Sequence, residues 1–199
     1  MTDEAQPPLL PDEAPGAREG APARLIVFAG PRASGKTTLA RHVARELPAV
    51  YLAKDTLKDR TLALAQELQI AQAQELAGPL SYELLVDLAR DNLSLGLSVV
   101  VDSPAGFQLF REKIIALAKA RKVELRLIEC LCSDEQLLRE RVERGGEGLP
   151  PHRVRDWDSY QRERAQYERI SGPRLVVDTA DPVAANTRKV LNYLSAGPG

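Results

Sequence analysis

The sequence predicts an α/β fold in which one parallel β-sheet lies between two layers of helices, and three observations support this fold class. Five short runs of β-prone apolar residues alternate with longer segments of helical pattern. That alternation is typical of parallel sheets with helices on both faces. The runs 25–29 and 99–101 are continuously apolar, as expected for strands buried on both faces. The length, 199 residues, is enough for one domain with a sizeable core.

The elements can be placed along the chain from apolar pattern and from residues that end helices. The predicted strands are 25–29, 50–52, 99–101, 125–131 and 175–177. The predicted helices are 36–47, 56–77, 81–95, 108–120, 133–144, one after Pro151 that ends near residue 169, and 182–194. We expect Gly78-Pro79 to separate the second helix from the third, and Gly96 to end the third. Ser133 is the predicted N-cap of the fifth helix, because the acidic residues after it favour the positive helix end.

Residues 1–23 differ in composition from the rest of the chain. They hold five prolines, few large apolar residues and a net charge of −4, from five acidic residues and Arg18. Such a segment cannot bury enough apolar surface to offset the entropy of ordering, which predicts a disordered acidic tail before a folded domain at 24–196. The segment lacks the apolar core of a signal peptide, and no later run is long enough to cross a bilayer. We therefore expect a cytoplasmic protein.

Charge and cysteine content argue against several classes of function. The chain has 27 basic and 28 acidic residues, a formal net charge of −1, which disfavours broad binding of nucleic acid or of an anionic membrane surface. Cys130 and Cys132 alternate within one apolar run and are expected to be buried strand thiols rather than a disulfide. The chain has only two histidines, so a zinc site lacks a second pair of ligands at suitable spacing.

The strongest functional signal is a glycine-rich loop between the first strand and the first helix. Residues 30–37, with the sequence GPRASGKT, fit the pattern G-x-x-x-x-G-K-(S/T) at every fixed position. Glycines let successive backbone N–H groups point at phosphate oxygens, the lysine follows the β- and γ-phosphates, and the Thr37 hydroxyl can bind Mg²⁺. The candidate nucleotide-binding residues are Gly30, Ala33, Ser34, Gly35, Lys36, Thr37 and Thr38.

Two aspartates follow predicted strands, at the sheet edge where nucleotide-binding folds present residues to the ligand. Asp102 could hold Mg²⁺ together with Thr37, or it could cap the helix that follows. Asp55 could orient an acceptor hydroxyl and take its proton, and it could also cap the next helix. Lys58 and Arg60, within a turn of Asp55, could grip an acidic acceptor or be solvated helix charges.

The segment 139–174 contains nine arginines and no lysine. Arginine suits forked contact with phosphate and stabilisation of charge during phosphoryl transfer. Glycines at 145, 146 and 148 would give a closing lid its mobility, so we predict a lid at about 139–170 with Arg141 and Arg144 facing the nucleotide. The alternative for most of these arginines is a pair of helices with Glu–Arg pairs along them.

With the loop, Asp55, Asp102 and the two lid arginines in this order, the chain resembles the small P-loop kinases. The most similar group is the predicted kinases or zeta-toxin-like ATPases, which includes polynucleotide 5′-hydroxyl kinases, chloramphenicol phosphotransferases and gluconate kinases. The resemblance covers residues 24–194 and implies a three-layer P-loop NTPase sandwich with strand order 2-3-1-4-5 and a helical lid after the fourth strand.

The resemblance also implies roles for single residues. Asp55 matches the aspartate that activates the acceptor, Lys36, Arg141 and Arg144 complete the catalytic set, and residues 178–181 lie where related kinases contact the nucleotide base. Arg111 falls near a substrate-side arginine of several relatives. Two departures concern the acceptor: Arg32 puts a bulky cation in the loop, and Lys58 stands where polynucleotide kinases tend to have arginine, which weakens a nucleic-acid assignment.

Two functions of different class follow. The first is an ATP-dependent phosphotransferase that moves the γ-phosphate of Mg-ATP to a hydroxyl of a small molecule or of an RNA or DNA 5′ end; the acceptor itself is not specified by the sequence. The alternative is a nucleotide-binding regulatory or interaction module with weak ATPase activity. Asp55 distinguishes the two functions, because a regulatory module that transfers no phosphate needs no base to activate an acceptor hydroxyl.

Overall fold

The structure is a computed structural model that describes residues 22–144, 156–168 and 170–196. One five-stranded sheet organises it. The strands are β1 (Arg24–Ala29), β2 (Ala49–Ala53), β3 (Ser98–Asp102), β4 (Glu124–Leu131) and β5 (Leu175–Asp178). All neighbouring pairs are parallel, and the order is β2-β3-β1-β4-β5. The predicted sheet and its order are confirmed.

Helices cover both faces of this sheet, as predicted. They are α1 (Lys36–Arg45), α2 (Lys54–Glu67), α3 (Ala73–Ser94), α4 (Gln108–Arg121), α5 (Glu135–Arg144), α6 (Trp157–Ala165) and α7 (Val183–Ser195). One apolar core joins α3 and α4 to one face of the sheet, and a second joins α1 and α7 to the opposite face. The central strand β1 contributes to both cores, with Leu25, Val27 and Ala29 on one face and Ile26 and Phe28 on the other.

The helical region between β2 and β3 divides at a different place from the predicted one. Pro79 lies inside α3, so the expected break at Gly78-Pro79 is wrong. The chain turns earlier, at Gln69, which has a φ of 55°. The N–H of Ile70 donates to the Ala65 carbonyl at 2.8 Å and that of Gln69 to the Gln66 carbonyl at 3.2 Å, a Schellman-type ending without glycine.

The start of α5 is also capped by a residue other than the predicted one. The Oδ1 atom of Asp134 accepts a hydrogen bond from the N–H of Leu137 at 2.9 Å, three residues later, as an N-cap does. Ser133 instead donates its N–H to Oδ1 of Asp178, at 3.1 Å, and so links the ends of β4 and β5. Both side chains have the chemistry of a cap, and their tertiary surroundings decide which one serves.

The described residues give two further findings on classes of site. Cys130 is buried and Cys132 half-buried, and both thiols are free; burial raises the pKa of Cys130 to about 12. Within residues 22–144, 156–168 and 170–196, no cluster of His, Cys, Asp and Glu could hold a metal ion by itself. In the same ranges, none of the helices has the length and apolar character of a membrane span.

The capping assignment can be tested by stability. Asp134→Ala removes the acceptor for the Leu137 N–H and is expected to lower the free energy of unfolding by about 1 kcal/mol. Ser133→Ala is the matched control, expected to change it by less than about 0.5 kcal/mol. Urea denaturation followed by circular dichroism measures both. A larger loss for Ser133→Ala than for Asp134→Ala would contradict the assignment.

Candidate functional site

The glycine-rich loop leaves β1 in a conformation that most residues cannot adopt. Gly30 has a φ of 143°, and a Cβ atom built there would lie 2.3 Å from the Cys130 carbonyl oxygen of the neighbouring strand. Its N–H donates to the carbonyl of Pro104 at 3.1 Å, which ties the loop to the segment after β3. Glycine at this position is therefore required by close backbone approach as well as by φ.

The loop ends at an open helix N-terminus. Gly35, with a φ of 76°, is the N-cap residue of α1; no side chain caps the helix, and its first turn contains no acidic residue. The first N–H groups of α1 and its positive end are thus available to an anion. Lys36 is 7% exposed at this end. The buried Ser34 hydroxyl has no hydrogen-bond partner among the described residues, which suits a group that meets a ligand.

These groups border a cleft of about 350 Å³. One wall is the loop and the start of α1, including Ala33 and Gly35 to Thr38. The other wall comes from α5 and from the segment after β5, with Arg141, Thr179, Asp181, Val183 and Asn186. The structure therefore brings five of the seven predicted nucleotide-binding residues to one cleft, while Gly30 and Ser34 belong to the loop but do not line the cleft.

Thr179 joins the two walls of this nucleotide-side cleft. Its hydroxyl donates to the carbonyl of Ser34 at 2.8 Å and accepts from Nη1 of Arg141 at 2.9 Å. The other guanidinium nitrogen of Arg141 donates to the Thr179 carbonyl at 2.7 Å. A predicted lid arginine is thus fixed to the end of β5, and its position depends on a threonine that the sequence pattern only placed in a base-contact segment.

Asp102 lies at the end of β3 and is 5% exposed. Its Oδ2 atom accepts a hydrogen bond from the Tyr51 hydroxyl at 2.7 Å, and burial together with the charge of Asp102 raises the pKa of Tyr51. Asp102 caps no helix, since α4 begins six residues later with Phe107 as its N-cap residue. A carboxylate with one oxygen held and the hydroxyl of Thr37 are hard oxygen ligands, so their chemistry fits Mg²⁺.

Asp55 occupies the first turn of α2, not the N-cap position, which is Ala53. Its side chain is 43% exposed, and Oδ1 lies 3.6 Å from Nζ of Lys54. Nζ of Lys54 lies 5.2 Å from the centroid of the Tyr82 ring. Burial, with a contribution from the Asp55 charge, raises the pKa of Tyr82 to about 12. Asp55 is therefore placed at the edge of a second pocket, of which Lys54 and Tyr82 form part.

This second pocket, of about 550 Å³, lies on the other flank of the same loop. Pro31 and Arg32 of the loop, Lys54 and Lys58 of α2, and the middle of α3 line it. Helix α6 closes it with Tyr160, Glu163 and Arg164, and Arg32 approaches Glu163 at 3.6 Å. We refer to it as the acceptor-side pocket. The phosphate loop thus separates two pockets of different composition.

Helices α5 and α6 of the predicted lid segment contact the loop through a small apolar cluster. Leu138 and Val142 of α5 and Tyr160 of α6 are buried together, and Ala33 of the loop packs against them. Trp157 stacks on Tyr160 with ring centroids 5.1 Å apart. Both helices therefore pack against Ala33, which also lines the nucleotide-side cleft. The glycines at 145–148 lie outside the described residues.

Other predicted residues are placed away from the two pockets. Arg144 has a side chain 71% exposed and pairs with Glu140 at 2.8 Å. Arg111 donates to the Ala105 carbonyl and to Glu168, and Arg60 lines neither pocket. Asp178 accepts hydrogen bonds from the N–H groups of Ser133 and Ala180. Hydrogen bonding to the Ser133 side chain, together with these N–H groups, lowers the pKa of Asp178.

Sequence reasoning missed the residues that share no motif with the loop. Tyr51, Tyr82, Phe107, Tyr160 and Tyr167 are single aromatic residues on five different segments, and only the fold brings them to the sites. The sequence signal that could have pointed to them is the small number of aromatic residues in the chain, which has one Trp, five Tyr and three Phe, nine in all.

Comparisons with known proteins concern the family and the fold of the chain. The sequence profile described as AAA domain matches residues 25–170. No curated protein matches the chain. A candidate kinase from Chloroflexus aurantiacus has a similar structure, with a TM-score of 0.68 at 23% identity over 90% of this chain and 100% of that chain.

Two further solved structures contain nucleotides or their analogues. Chaetomium thermophilum Kti12 in complex with ADP-AlF3 gives a TM-score of 0.64 at 21% identity, over 87% of this chain and 100% of that chain. Mycobacterium tuberculosis APS kinase CysC in complex with AMPPNP and APS gives a TM-score of 0.62 at 18% identity, over 89% of this chain and 100% of that chain. At these identities the likeness establishes the fold.

The link through Thr179 can be tested with a variant that keeps the shape of the side chain. Thr179→Val removes the hydroxyl that joins Ser34 to Arg141 and is expected to lower the free energy of unfolding by about 1–3 kcal/mol, because a buried carbonyl loses its donor. Thr187→Val, an exposed threonine on α7 that donates to its own helix, is the control. Equal losses for the two variants would contradict the role of this link.

Proposed function

The chain belongs to the AAA domain family and has the P-loop NTPase fold, and from this membership we propose that it is an ATP-dependent phosphotransferase. It moves the γ-phosphate of Mg-ATP to a hydroxyl group of an acceptor. The observation that carries the proposal is the pair of pockets on the two flanks of one phosphate-binding loop. A phosphotransferase needs such a pair, because donor and acceptor must meet in line at the transferred phosphoryl group.

The nucleotide-side cleft supplies the groups that ATP requires. The uncapped N-terminus of α1 and the N–H groups of the loop face anionic oxygens, and Lys36 adds a mobile positive charge. Val183 and Asn186 at the start of α7 also line the cleft, and we expect the nucleoside to lie beside them. Arg141, held by Thr179, adds a fixed positive charge to the same cleft.

The proposed reaction uses Asp55 as the base. The acceptor oxygen forms a bond to the γ-phosphorus while the bond between that phosphorus and the β–γ bridging oxygen breaks, and ADP leaves with the bonding electron pair. The proton of the acceptor hydroxyl passes to the carboxylate of Asp55. An exposed fraction of 43% and a position at the edge of the acceptor-side pocket support this role.

Thr37 and Asp102 are the residues that would hold Mg²⁺, which when bound neutralises charge on the phosphate oxygens. The Tyr51 hydroxyl fixes one oxygen of Asp102, at 2.7 Å, and so orients the carboxylate. The lid role of residues 139–170, the part of Arg144 in catalysis and the cytoplasmic location remain predictions from the sequence.

The alternative function is a nucleotide-binding regulatory module with weak ATPase activity. The likeness to Kti12 favours it, since Kti12, unlike the other two similar structures, is not named as a kinase. The alternative predicts Mg-ATP binding without phosphate transfer to any acceptor. An acceptor screen that follows ADP formation and the phosphorylated product therefore separates the two functions.

Lys36 tests the nucleotide half of the proposal. Lys36→Ala is expected to abolish ATP-dependent activity, because the transferred phosphate loses its mobile cation. Lys119→Ala, an exposed lysine on α4, is the control that should retain activity. ADP release in a coupled assay measures both variants. Full activity of Lys36→Ala would contradict the phosphate-loop mechanism.

Asp55 tests the transfer half. Asp55→Asn is expected to lower the rate of phosphate transfer about 10²-fold or more, the usual contribution of a general base. The dissociation constant of this variant for Mg-ATP, measured by calorimetry, should stay within about twofold of the value for the unsubstituted protein, because Asp55 lies outside the nucleotide-side cleft. Asp87→Asn, an exposed carboxylate on α3, is the control. Unchanged turnover in Asp55→Asn would show that another group takes the proton.

A further inference from the structure

The acceptor-side pocket has a composition that restricts what it can bind, and an inference from it rests on the proposed function. Five of the nine aromatic residues of the chain line this pocket: Tyr82, Phe107, Phe110, Tyr160 and Tyr167. The nucleotide-side cleft on the other flank of the loop contains none of them. The aromatic content is therefore a property of the acceptor side alone.

Three of these rings form an aromatic wall. Tyr82 and Phe110 have centroids 4.7 Å apart and a tilt of 49°, and Tyr82 meets Phe107 edge to face at 5.9 Å. Phe107 is 61% exposed although it belongs to this wall. A large exposed ring beside an apolar pocket offers a stacking surface, and a flat aromatic group covers such a surface better than a puckered, hydroxyl-rich ring does.

The same pocket carries an excess of positive charge. Its lining includes five basic side chains and two acidic ones. The two acids are already paired, Glu163 with Arg32 at 3.6 Å and Glu83 with Lys113. Lys58 and Arg164 make no ion pair with any residue in the described ranges. These two cations, on α2 and α6, favour an anionic group on the acceptor.

Two buried hydroxyl groups that have no hydrogen-bond partner among the described residues indicate that this pocket binds a ligand. The hydroxyl groups of Tyr160 and Tyr167 are buried and have no partner among the described residues. Tyr160 is 1% exposed and belongs to the lid helix that closes the pocket. Buried hydroxyl groups normally have partners, so the pair indicates polar contacts that form when the pocket is occupied.

Uncharged sugars fit this lining poorly. A polyol needs several hydrogen-bond acceptors for its hydroxyl groups, and carboxylates or amides commonly supply them. Here both lining carboxylates are engaged with cations, which leaves Gln166 as the only lining amide in the described ranges. A polyol would also leave the aromatic wall uncovered.

We propose that the acceptor is a small aromatic anion that carries a hydroxyl group, of the size and chemistry of a nucleoside monophosphate. Its ring lies against Tyr82 and Phe107, and its anionic group lies between Lys58 and Arg164. Its hydroxyl then reaches the pocket edge at Asp55, next to the phosphate loop. The volume of about 550 Å³ suits a ligand of this size.

A panel of acceptors tests this assignment in the full-length chain with Mg-ATP. The panel contains nucleoside monophosphates, the matching uncharged nucleosides, a hydroxylated aromatic carboxylate, gluconate, glucose and a 5′-hydroxyl oligonucleotide. Phosphorylated products are identified by mass spectrometry. We expect kcat/KM for a small aromatic anion to exceed that for its uncharged counterpart and for gluconate at least tenfold. Preference for the carboxylate over the monophosphates would identify the kind of anion.

The other outcomes overturn one proposal or both. Faster transfer to gluconate, glucose or an uncharged nucleoside would overturn this inference and retain the phosphotransferase. Faster transfer to the oligonucleotide would replace the small molecule by a nucleic-acid end. Binding of Mg-ATP with no transfer to any acceptor would contradict the proposed function itself, and the inference with it.

Two pairs of variants test the anionic and the aromatic contacts separately. Lys58→Glu is expected to raise KM for the anionic acceptor at least tenfold, leave KM for the uncharged nucleoside within twofold, and leave KM for ATP unchanged. Arg60→Glu makes the same charge change on the same helix outside the pocket and should leave all three values unchanged. Identical behaviour of the two variants would overturn the anionic contact.

Phe107→Ala tests the aromatic wall. It is expected to raise KM for the aromatic acceptor about tenfold with KM for ATP unchanged. Leu68→Ala removes an equally exposed apolar side chain, 62% exposed, at the end of α2 and outside the pocket. If Phe107→Ala and Leu68→Ala have the same KM for the acceptor, the ring does not stack on this wall.

Discussion

The hydrogen bond from the Thr179 hydroxyl to the Ser34 carbonyl is the contact on which the site depends. It joins the end of β5 to the glycine-rich loop, two segments separated by 145 positions in the chain, at 2.8 Å. The same hydroxyl accepts from Arg141, so one side chain fixes the loop, the edge of the sheet and helix α5 relative to one another. Glycine at position 35 permits this close approach, since a Cβ there would lie 3.0 Å from the Thr179 side chain. The loop is thus held from the side opposite to the acceptor-side pocket.

That arrangement explains why the two pockets can differ in chemistry while sharing one loop. Phosphate groups need N–H groups and cations, which the loop and α1 supply whatever the nucleotide carries at its other end. The acceptor-side pocket receives most of its lining from α2, α3, α4 and α6, which do not contribute to the nucleotide-side cleft except through the loop between the two pockets. In the proposed phosphotransferase, changes in these helices would alter acceptor specificity without altering ATP binding. The aromatic wall lies in this separable part, as do Lys58 and Arg164, which make no ion pair within the described residues.

Features that depend on local sequence patterns were predicted, whereas features that depend on contacts between distant segments were missed. The positions of the strands along the chain and of the loop followed from local patterns, namely buried apolar runs and a motif with fixed spacing. The spatial order of the strands followed from the resemblance to the small P-loop kinases. The break at Gly78-Pro79 was wrong because proline disfavours a helix only locally, while α3 continues through Pro79 and buries Ala77, Leu85 and Ala89 on either side of it. Asp55 and Asp102 could be located at strand ends, whereas the Tyr51 contact to Asp102 requires the pairing of β2 with β3.

Ala33 shows how the loop and the helices α5 and α6 constrain each other. Its φ of 59° lies in the left-handed region, where a residue other than glycine is disfavoured by about 1–2 kcal/mol. Glycine would relieve that cost, but it would also remove the methyl group that packs against Leu138, Val142 and Tyr160. The contact of this methyl group with α5 and α6 gives alanine a structural role at a position where the backbone favours glycine. Because Tyr160 also lines the acceptor-side pocket, Ala33 connects the nucleotide-side cleft, which it lines, to the second pocket by direct packing.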